Sequence, residues 1–125
     1  MPKVLIADDE EAMRTLVRIT LGTGQFELIE ATDGATALAL AREHHPDLFL
    51  LDWAMPVMSG LEVCQKLRAD AITRDLRIVM LTARAQAFDK TAALEAGVDD
   101  YITKPFSPLE LLEKVRDALG PGVLA

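Results

Sequence analysis

Acidic residues follow two of the short apolar runs in this sequence. Asp8 and Asp9 come directly after residues 4–7, and Asp52 comes directly after residues 48–51. If the two runs are neighbouring parallel strands, the three carboxylates converge, and crowded carboxylates repel one another. Such a cluster requires a cation, and an all-oxygen ligand set is typical of Mg²⁺ sites. A carboxylate beside Mg²⁺ can also attack a phosphoryl group, which gives an aspartyl phosphate.

A hydroxyl and an ammonium follow two further apolar runs. Thr82 comes after residues 78–81, and Lys104 comes after the weaker run 101–102. Phosphoryl transfer requires a second cation besides the metal, because negative charge spreads over the phosphoryl oxygens. Lys104 can supply this charge and Thr82 can donate a hydrogen bond, so the pattern predicts a phosphoryl-transfer site.

The segments that must position these residues alternate between strand and helix five times. The apolar runs are residues 4–7, 26–31, 48–51, 78–81 and 101–102, and each precedes a stretch of helical spacing. Strands joined by helical crossovers form a parallel sheet. The first, third and fourth runs are apolar throughout and belong in the centre, whereas the other two carry acids and belong at the edges. We predict an α/β fold: a doubly wound, flavodoxin-like, five-stranded parallel sheet of order 2-1-3-4-5 with five flanking helices.

Local signals mark the helix ends. Residues 59–62 form a capping box, and residues 107–110 combine an N-cap, a proline and a box glutamate. The fourth helix is predicted over residues 85–96 with Gly97 as its C-cap, and the second stops before Pro46. The predicted core faces of the first three helices are Met13, Leu16, Val17, Thr20 and Leu21; Ala35, Leu38 and Ala39; and Leu61, Cys64 and Leu67.

Composition narrows the class of protein. The chain has 125 residues, 50% of them hydrophobic, and a net charge of −7, which predicts one globular domain that does not bind nucleic acid directly. A single cysteine suits a reducing compartment. Without a long apolar run or a signal peptide, we expect a cytoplasmic protein that makes no membrane contact.

Four motifs together make the chain resemble the receiver domain of two-component response regulators, a CheY-like family, over residues 4–119. They are the aspartate pair 8–9, residues 51–56 with Gly60, residues 81–83, and residues 99–106. Each motif is weak alone, but all four in this order are specific. The resemblance implies that Asp52 is the phosphoacceptor.

The resemblance also implies the ligands of a Mg²⁺ cofactor. Asp9, Asp52 and the backbone carbonyl of Ala54 would bind the ion directly, and Asp8 would act through a metal-bound water.

Three further roles follow from the same resemblance. Lys104 would contact the phosphoryl group, and its bond to Pro105 would be cis. Thr82 and Tyr101 would be the switch pair, in which the hydroxyl moves toward the phosphate and the aromatic ring turns inward.

The implied function is a phosphorylation-dependent switch of a phosphorelay. A sensor histidine kinase or phosphotransfer protein would donate the phosphoryl group, and the face formed by helix 4, strand 5 and helix 5 would control an output protein or domain. The chain would catalyse only its own phosphorylation and dephosphorylation. Two alternatives are a phosphatase with an aspartate nucleophile, which lacks a nearby general acid here, and a flavodoxin-type module, whose anionic cofactor the acids would repel.

Two positions flank the path of an attacking water in the resembled family, and they are Ala54 and Arg84 here. Ala54 has no group that orients water, so we expect slow autodephosphorylation.

The charges on the helix 4, strand 5 and helix 5 face have two interpretations. They form either a solvated surface or, as in winged-helix transcription factors, a symmetric homodimer interface. They are Lys90, Glu95, Asp99, Asp100, Glu110, Lys114 and Arg116. The five strand–helix units occupy residues 1–120 and leave 121–125 as a short tail, so we expect output from a partner or from sequence outside this chain.

Overall fold

The computed structural model describes residues 1–22, 24–83 and 90–120 and shows strands and helices in alternation. The strands are β1 (Lys3–Ala7), β2 (Glu27–Ala31), β3 (Leu48–Asp52), β4 (Arg77–Ala83) and β5 (Asp100–Lys104). The helices are α1 (Glu11–Leu21), α2 (Gly34–His44), α3 (Gly60–Ala69), α4 (Lys90–Ala96) and α5 (Pro108–Leu119). Each predicted apolar run therefore coincides with a strand, except that Phe26 of the second run precedes β2.

The strands form one parallel sheet in the order β2-β1-β3-β4-β5, as predicted. Every residue of β3 is buried, whereas β2 and β5 lie at the edges and carry the partly exposed Glu30 and Asp100. Helices cover both faces of the sheet. The winding direction changes between β1 and β3, so their carboxyl ends open into the crevice where such folds bind ligands.

The core consists of two clusters, one on each face of the sheet. Leu5 and Phe49 pack with side chains of α2, α3 and α4, whereas Ile6 and Leu50 pack with side chains of α1 and α5. Successive residues of a strand point to opposite faces, so an uninterrupted apolar strand supplies both clusters. Burial of each such side chain stabilises the fold by roughly 1.5–3 kcal/mol. None of the helices within the described residues has the length and apolar character that crossing a membrane requires.

The predicted caps are confirmed at the starts of α3 and α5. The Ser59 hydroxyl accepts a hydrogen bond from the Glu62 amide at 3.2 Å, and the Ser107 hydroxyl accepts one from the Glu110 amide at 3.1 Å. Each serine thereby satisfies an amide that has no partner within its helix.

The predicted core face of α2 was partly wrong. Leu38 is buried, but Ala35 and Ala39 are exposed, and the buried positions of this helix are Gly34, Ala37, Leu38 and Ala41. An alanine-rich helix offers little contrast between its faces. Its rotation follows instead from Gly34, where an added Cβ would overlap the backbone of Met58.

The predicted fourth helix is described only in its second half. The structure shows α4 from Lys90, and residues 84–89, which include Arg84, lie outside the described residues. Gly97 follows the helix with a φ of 98°, which confirms its predicted place at the C-terminal end.

Candidate functional site

The carboxyl edge of the sheet gathers four buried polar side chains. Asp8 follows β1 directly, Asp52 ends β3, Thr82 is the penultimate residue of β4, and Lys104 ends β5. Their exposed fractions are 0% for Asp8, 1% for Asp52, 2% for Thr82 and 7% for Lys104. Parallel strands end at the same edge, which is why residues from four strands meet there.

Lys104 links the acids. Its Nζ lies 2.9 Å from Asp8 Oδ2, 3.3 Å from Asp52 Oδ1 and 3.4 Å from Glu10 Oε1. The Lys104–Pro105 peptide bond is cis, as the resemblance implied. One ammonium therefore neutralises part of a site that holds at least three carboxylates.

The electrostatics of this arrangement favour an added cation. Burial, reinforced by the charge of Asp8, raises the pKa of Asp52 to about 7, although Lys104 acts in the opposite direction. Burial alone would lower the pKa of Lys104, but its hydrogen bond to Asp8 and the charges of both aspartates raise it. The ammonium thus stays charged, and Asp52 ionises against an excess of negative charge.

The turn after β1 brings three acids together. Oxygens of Asp8, Asp9 and Glu10 lie within 4.8 Å of one another, with Asp8 buried and the other two exposed. The Glu10 amide donates to Asp8 Oδ1 at 2.9 Å, which orients that carboxylate. The all-oxygen donor set and its uncompensated charge fit Mg²⁺.

Glu10 is the contact that the sequence analysis missed. Its carboxylate reaches Lys104 and belongs to the acidic group, yet the sequence assigned it no role. A signal did exist, since Glu10 continues the acidic run that begins at Asp8.

The loop after β3 approaches Asp52 closely. The Ala54 amide lies 3.4 Å from Asp52 Oδ1, the Trp53 amide donates to the Leu81 carbonyl at 2.8 Å, and the Gly60 amide donates to the Trp53 carbonyl at 3.1 Å. A Cβ on Gly60 would overlap the Asp52 carbonyl. Glycine at this motif position therefore lets the start of α3 pack against the end of β3.

Two of the predicted site residues lie on the same face of neighbouring strands. Tyr101 is half-buried against the cluster formed with α2, α3 and α4, and it pairs in register with Met80. Thr82 lies two residues beyond Met80 and so projects to that same face. The Thr82 hydroxyl lies 3.5 Å from the Ala83 carbonyl, which is longer than the usual range for a hydroxyl hydrogen bond.

An open pocket of about 560 Å³ borders the site. It is lined by Asp9, Trp53, Ala54, Met55, Pro56, Ser59 and Leu61. The pocket therefore lies between Asp9 and the loop that follows Asp52.

Two acids of the predicted dimer face have partners within this chain. Asp99 pairs with Arg68 at 3.1 Å, and Asp100 pairs with Lys114 at 2.9 Å. The predicted interface therefore includes carboxylates that already form ion pairs within the chain.

Comparison with known proteins gives one consistent result. Residues 4–116 match the family model for the response regulator receiver domain. The chain is 43% identical over 122 residues to the phosphate regulon transcriptional regulatory protein PhoB of Pseudomonas aeruginosa. The aligned region covers 95% of this chain and 53% of PhoB. The chain spans about half the length of the curated relatives it matches.

Solved structures give the same result for the fold. The chemotaxis response regulator CheY4 of Vibrio cholerae superposes with a TM-score of 0.88 at 34% identity, covering 95% of this chain and 99% of CheY4. The receiver domain of the sensor histidine kinase PA1611 from Pseudomonas aeruginosa, solved with a magnesium ion in its active site cleft, superposes with a TM-score of 0.86 at 28% identity, covering 95% of this chain and 98% of that one.

Proposed function

The chain belongs to the response regulator receiver domains, the phosphoryl-accepting signalling switches of two-component systems, and from that premise we propose that Asp52 is its phosphoacceptor. The observation that carries this assignment is the position of Asp52 at the end of β3, where Lys104 Nζ lies 3.3 Å from its Oδ1. Of the three candidate aspartates, Asp8 has a hydrogen bond at each carboxylate oxygen, from Lys104 and from the Glu10 amide, and Asp9 is exposed. The contacts of Asp52 with Lys104 and with the Ala54 amide both involve Oδ1.

The same site would hold a Mg²⁺ ion. Asp9, Asp52 and the backbone carbonyl of Ala54 would bind it directly, and Asp8 would bind through a water. When bound, the ion supplies the positive charge that the phosphoryl oxygens need as charge redistributes during transfer. The raised pKa of Asp52 supports this assignment, because a nearby cation favours the ionised carboxylate.

The transfer step uses this chain's own residues as follows. A carboxylate oxygen of Asp52 bonds to phosphorus as the bond between phosphorus and the donor's leaving atom breaks. Lys104 neutralises a phosphoryl oxygen, and Thr82 donates its hydroxyl to another. A sensor histidine kinase or phosphotransfer protein supplies the phosphoryl group, and acetyl phosphate can replace it in vitro.

The switch follows from the new charge on Asp52. Thr82 moves toward the phosphoryl group, and Tyr101 fills the space behind it, which alters the face formed by α4, β5 and α5. That face controls an output protein or domain, through contact with the partner or through a homodimer. The proposed receiver unit is residues 1–120, followed by residues 121–125, and we propose that it acts in the cytoplasm without direct contact with nucleic acid or membrane.

The decisive experiment measures intact mass after incubation with Mg²⁺ and acetyl phosphate. We expect the wild type to gain one phosphoryl group and Asp52→Ala to gain none. Asp75→Asn, which changes an exposed aspartate at the opposite edge of the sheet, is the matched control and should be phosphorylated normally. An unmodified wild type, or an adduct that survives in Asp52→Ala, would contradict the proposal, as would turnover of many phosphate esters without an adduct.

Ala54 gives the phosphorylated form a long lifetime in this proposal. Its methyl group cannot orient a water for attack on the aspartyl phosphate, so Ala54→Asn should shorten the phosphoryl half-life several-fold. Loss of the phosphoryl group is followed by intact mass after removal of acetyl phosphate. An unchanged half-life would refute this role of Ala54.

A further inference from the structure

Arg14 on α1 contacts both the acidic turn, residues 8–10, and the neighbouring strand β2. Its Nη1 donates to the backbone carbonyl of Asp8 at 2.7 Å, and its Nε lies 3.6 Å from Glu30 Oε1 on β2. The side chain is only 14% exposed, so the guanidinium is held between these two acceptors. No role in the site was assigned to it from sequence.

The backbone carbonyl of Asp8 lies one residue beyond the end of β1, and the contact with Arg14 gives it a hydrogen-bond donor. The amide of Asp8 still donates to the Ala31 carbonyl at 3.2 Å, and its two carboxylate oxygens accept from Glu10 and Lys104. The carbonyl is the remaining hydrogen-bonding group of Asp8, and Arg14 engages it. The peptide unit between Asp8 and Asp9 is therefore held from the α1 side.

We propose that Arg14 is a positioning residue that holds this peptide unit so that the carboxylates of Asp8, Asp9 and Glu10 gather on one side. Glu30 in turn holds Arg14. This inference rests on the proposed function, since it concerns the Mg²⁺ site of the same domain. The role resembles that of outer contacts in other metal sites, whose loss lowers metal affinity by about 10-fold or more.

The direction in which Mg²⁺ affinity changes distinguishes a positioning role of Arg14 from a purely electrostatic one. A guanidinium beside acidic ligands repels a divalent cation, so its removal would strengthen Mg²⁺ binding if charge alone mattered. If Arg14 positions the turn, its removal weakens Mg²⁺ binding in spite of the lost repulsion.

Arg18 provides a matched control. It lies one helical turn further along α1 and binds the same Glu30 through Nε and Nη2, at 2.9 Å and 2.7 Å. Within the part of the chain that the structure describes, its side-chain hydrogen bonds and ion pair go to Glu30 and not to residues 8–10. Arg18→Ala therefore removes a cation that shares the same partner, and it leaves the Asp8 carbonyl contact in place.

The experiment titrates the metal-free protein with Mg²⁺ alone and follows the fluorescence of Trp53, the single tryptophan of the chain. We expect the Kd to rise about tenfold in Arg14→Ala and to stay within about twofold of wild type in Arg18→Ala. Arg14→Lys keeps the charge but cannot reach both acceptors with a planar fork, so it should also bind Mg²⁺ more weakly. Circular dichroism checks that each variant is folded.

A second readout needs no metal. In the metal-free protein, the ¹H–¹⁵N resonances of the Asp9 and Glu10 amides should shift in Arg14→Ala and stay in place in Arg18→Ala. Unchanged or tighter Mg²⁺ binding in Arg14→Ala or Arg14→Lys would overturn the positioning role. Failure of the wild type itself to bind Mg²⁺ would instead overturn the proposed function.

Discussion

Lys104 is the side chain on which the charge balance of the site depends. It is buried with Asp8 and Asp52, and it contacts both carboxylates. Buried charges are tolerated when they are paired, and removal of one partner leaves the others uncompensated. A single lysine therefore links the stability of the domain to the chemistry of its site.

We predict that Lys104→Met destabilises the metal-free protein by about 3 kcal/mol at pH 8. Two buried carboxylates would then face each other without a cation, and lower pH should reduce the loss as Asp52 takes up a proton. Urea denaturation at several pH values measures the effect. Lys3→Met, which changes a lysine at the opposite edge of the sheet, should cost far less, and equal losses would refute the prediction.

Asp52 should make the stability of the metal-free protein fall as pH rises. Its pKa is about 7 in the folded protein, above the ordinary aspartate value of 3.8, so between these two pH values the folded protein binds a proton that the unfolded chain does not. The contribution is complete below pH 4 and is lost as pH rises through 7.

Asp52→Asn should accordingly be more stable than wild type at pH 8 by roughly 2 to 4 kcal/mol, and the difference should close toward pH 4. Saturating Mg²⁺ should narrow the difference at pH 8, because it stabilises the wild type. Thermal denaturation across this pH range gives the measurement. A difference that does not depend on pH would show that Asp52 ionises normally.

Among the helices, α3 has a structural role beyond its packing, and this role depends on Arg68. The guanidinium donates to the Gly97 carbonyl at 2.9 Å and 2.7 Å, to the carbonyls of Arg74 and Leu76, and to Asp99. It thereby connects the end of α4 to the segment that enters β4. Asp99 also accepts from the first core amide of β4, that of Ile78, at 2.8 Å.

Arg68→Ala should destabilise the domain by about 2 kcal/mol, because the partly buried hydrogen bonds to the Gly97 and Leu76 carbonyls would be lost. Arg68→Lys should recover little, since an ammonium cannot span the same acceptors. The control is Arg42→Ala, which breaks a half-exposed pair with Asp70 and should cost less than about 1 kcal/mol. Urea denaturation distinguishes these outcomes. Equal effects of Arg68→Ala and Arg42→Ala would contradict the structural role of the Arg68 guanidinium.

At the scale of the whole domain, net charge affects whether two copies can associate. The net charge of −7 opposes non-specific association, so a symmetric dimer requires local complementarity of opposite charges. On the α4–β5–α5 face, Asp100 already pairs with Lys114. Arg116 is exposed and can offer its charge to a second copy.

If the homodimer interpretation is correct, phosphorylation should raise the apparent mass in light scattering toward twice 13.7 kDa at high protein concentration. Arg116→Glu should keep the phosphorylated protein monomeric, because a two-fold interface repeats the altered charge twice. Lys66→Glu, an exposed change on α3, should leave the dimer intact. A phosphorylated wild type that stays monomeric would favour the solvated surface instead.

The strand order and the meeting of the site residues could be predicted because each depends on a local pattern. Uniformly apolar runs indicate central strands, acid-bearing runs indicate edges, and residues after parallel strands share one edge. Ser59, Ser107 and Gly97 were likewise predictable, because caps act within a few residues. These features were confirmed, while the assigned roles of Asp52, Thr82 and Tyr101 remain predictions.

Other features arise only when distant segments pack together. The rotation of α2 depends on Gly34 meeting Met58, and alanines on both sides of the helix give no local preference. The contact of Glu10 with Lys104 spans 94 residues, and the forks of Arg14 and Arg68 join different elements. A long flexible side chain has many reachable partners, so its choice follows from tertiary packing. Sequence pattern alone thus determines the fold and the place of the site, and packing determines which side chains support it.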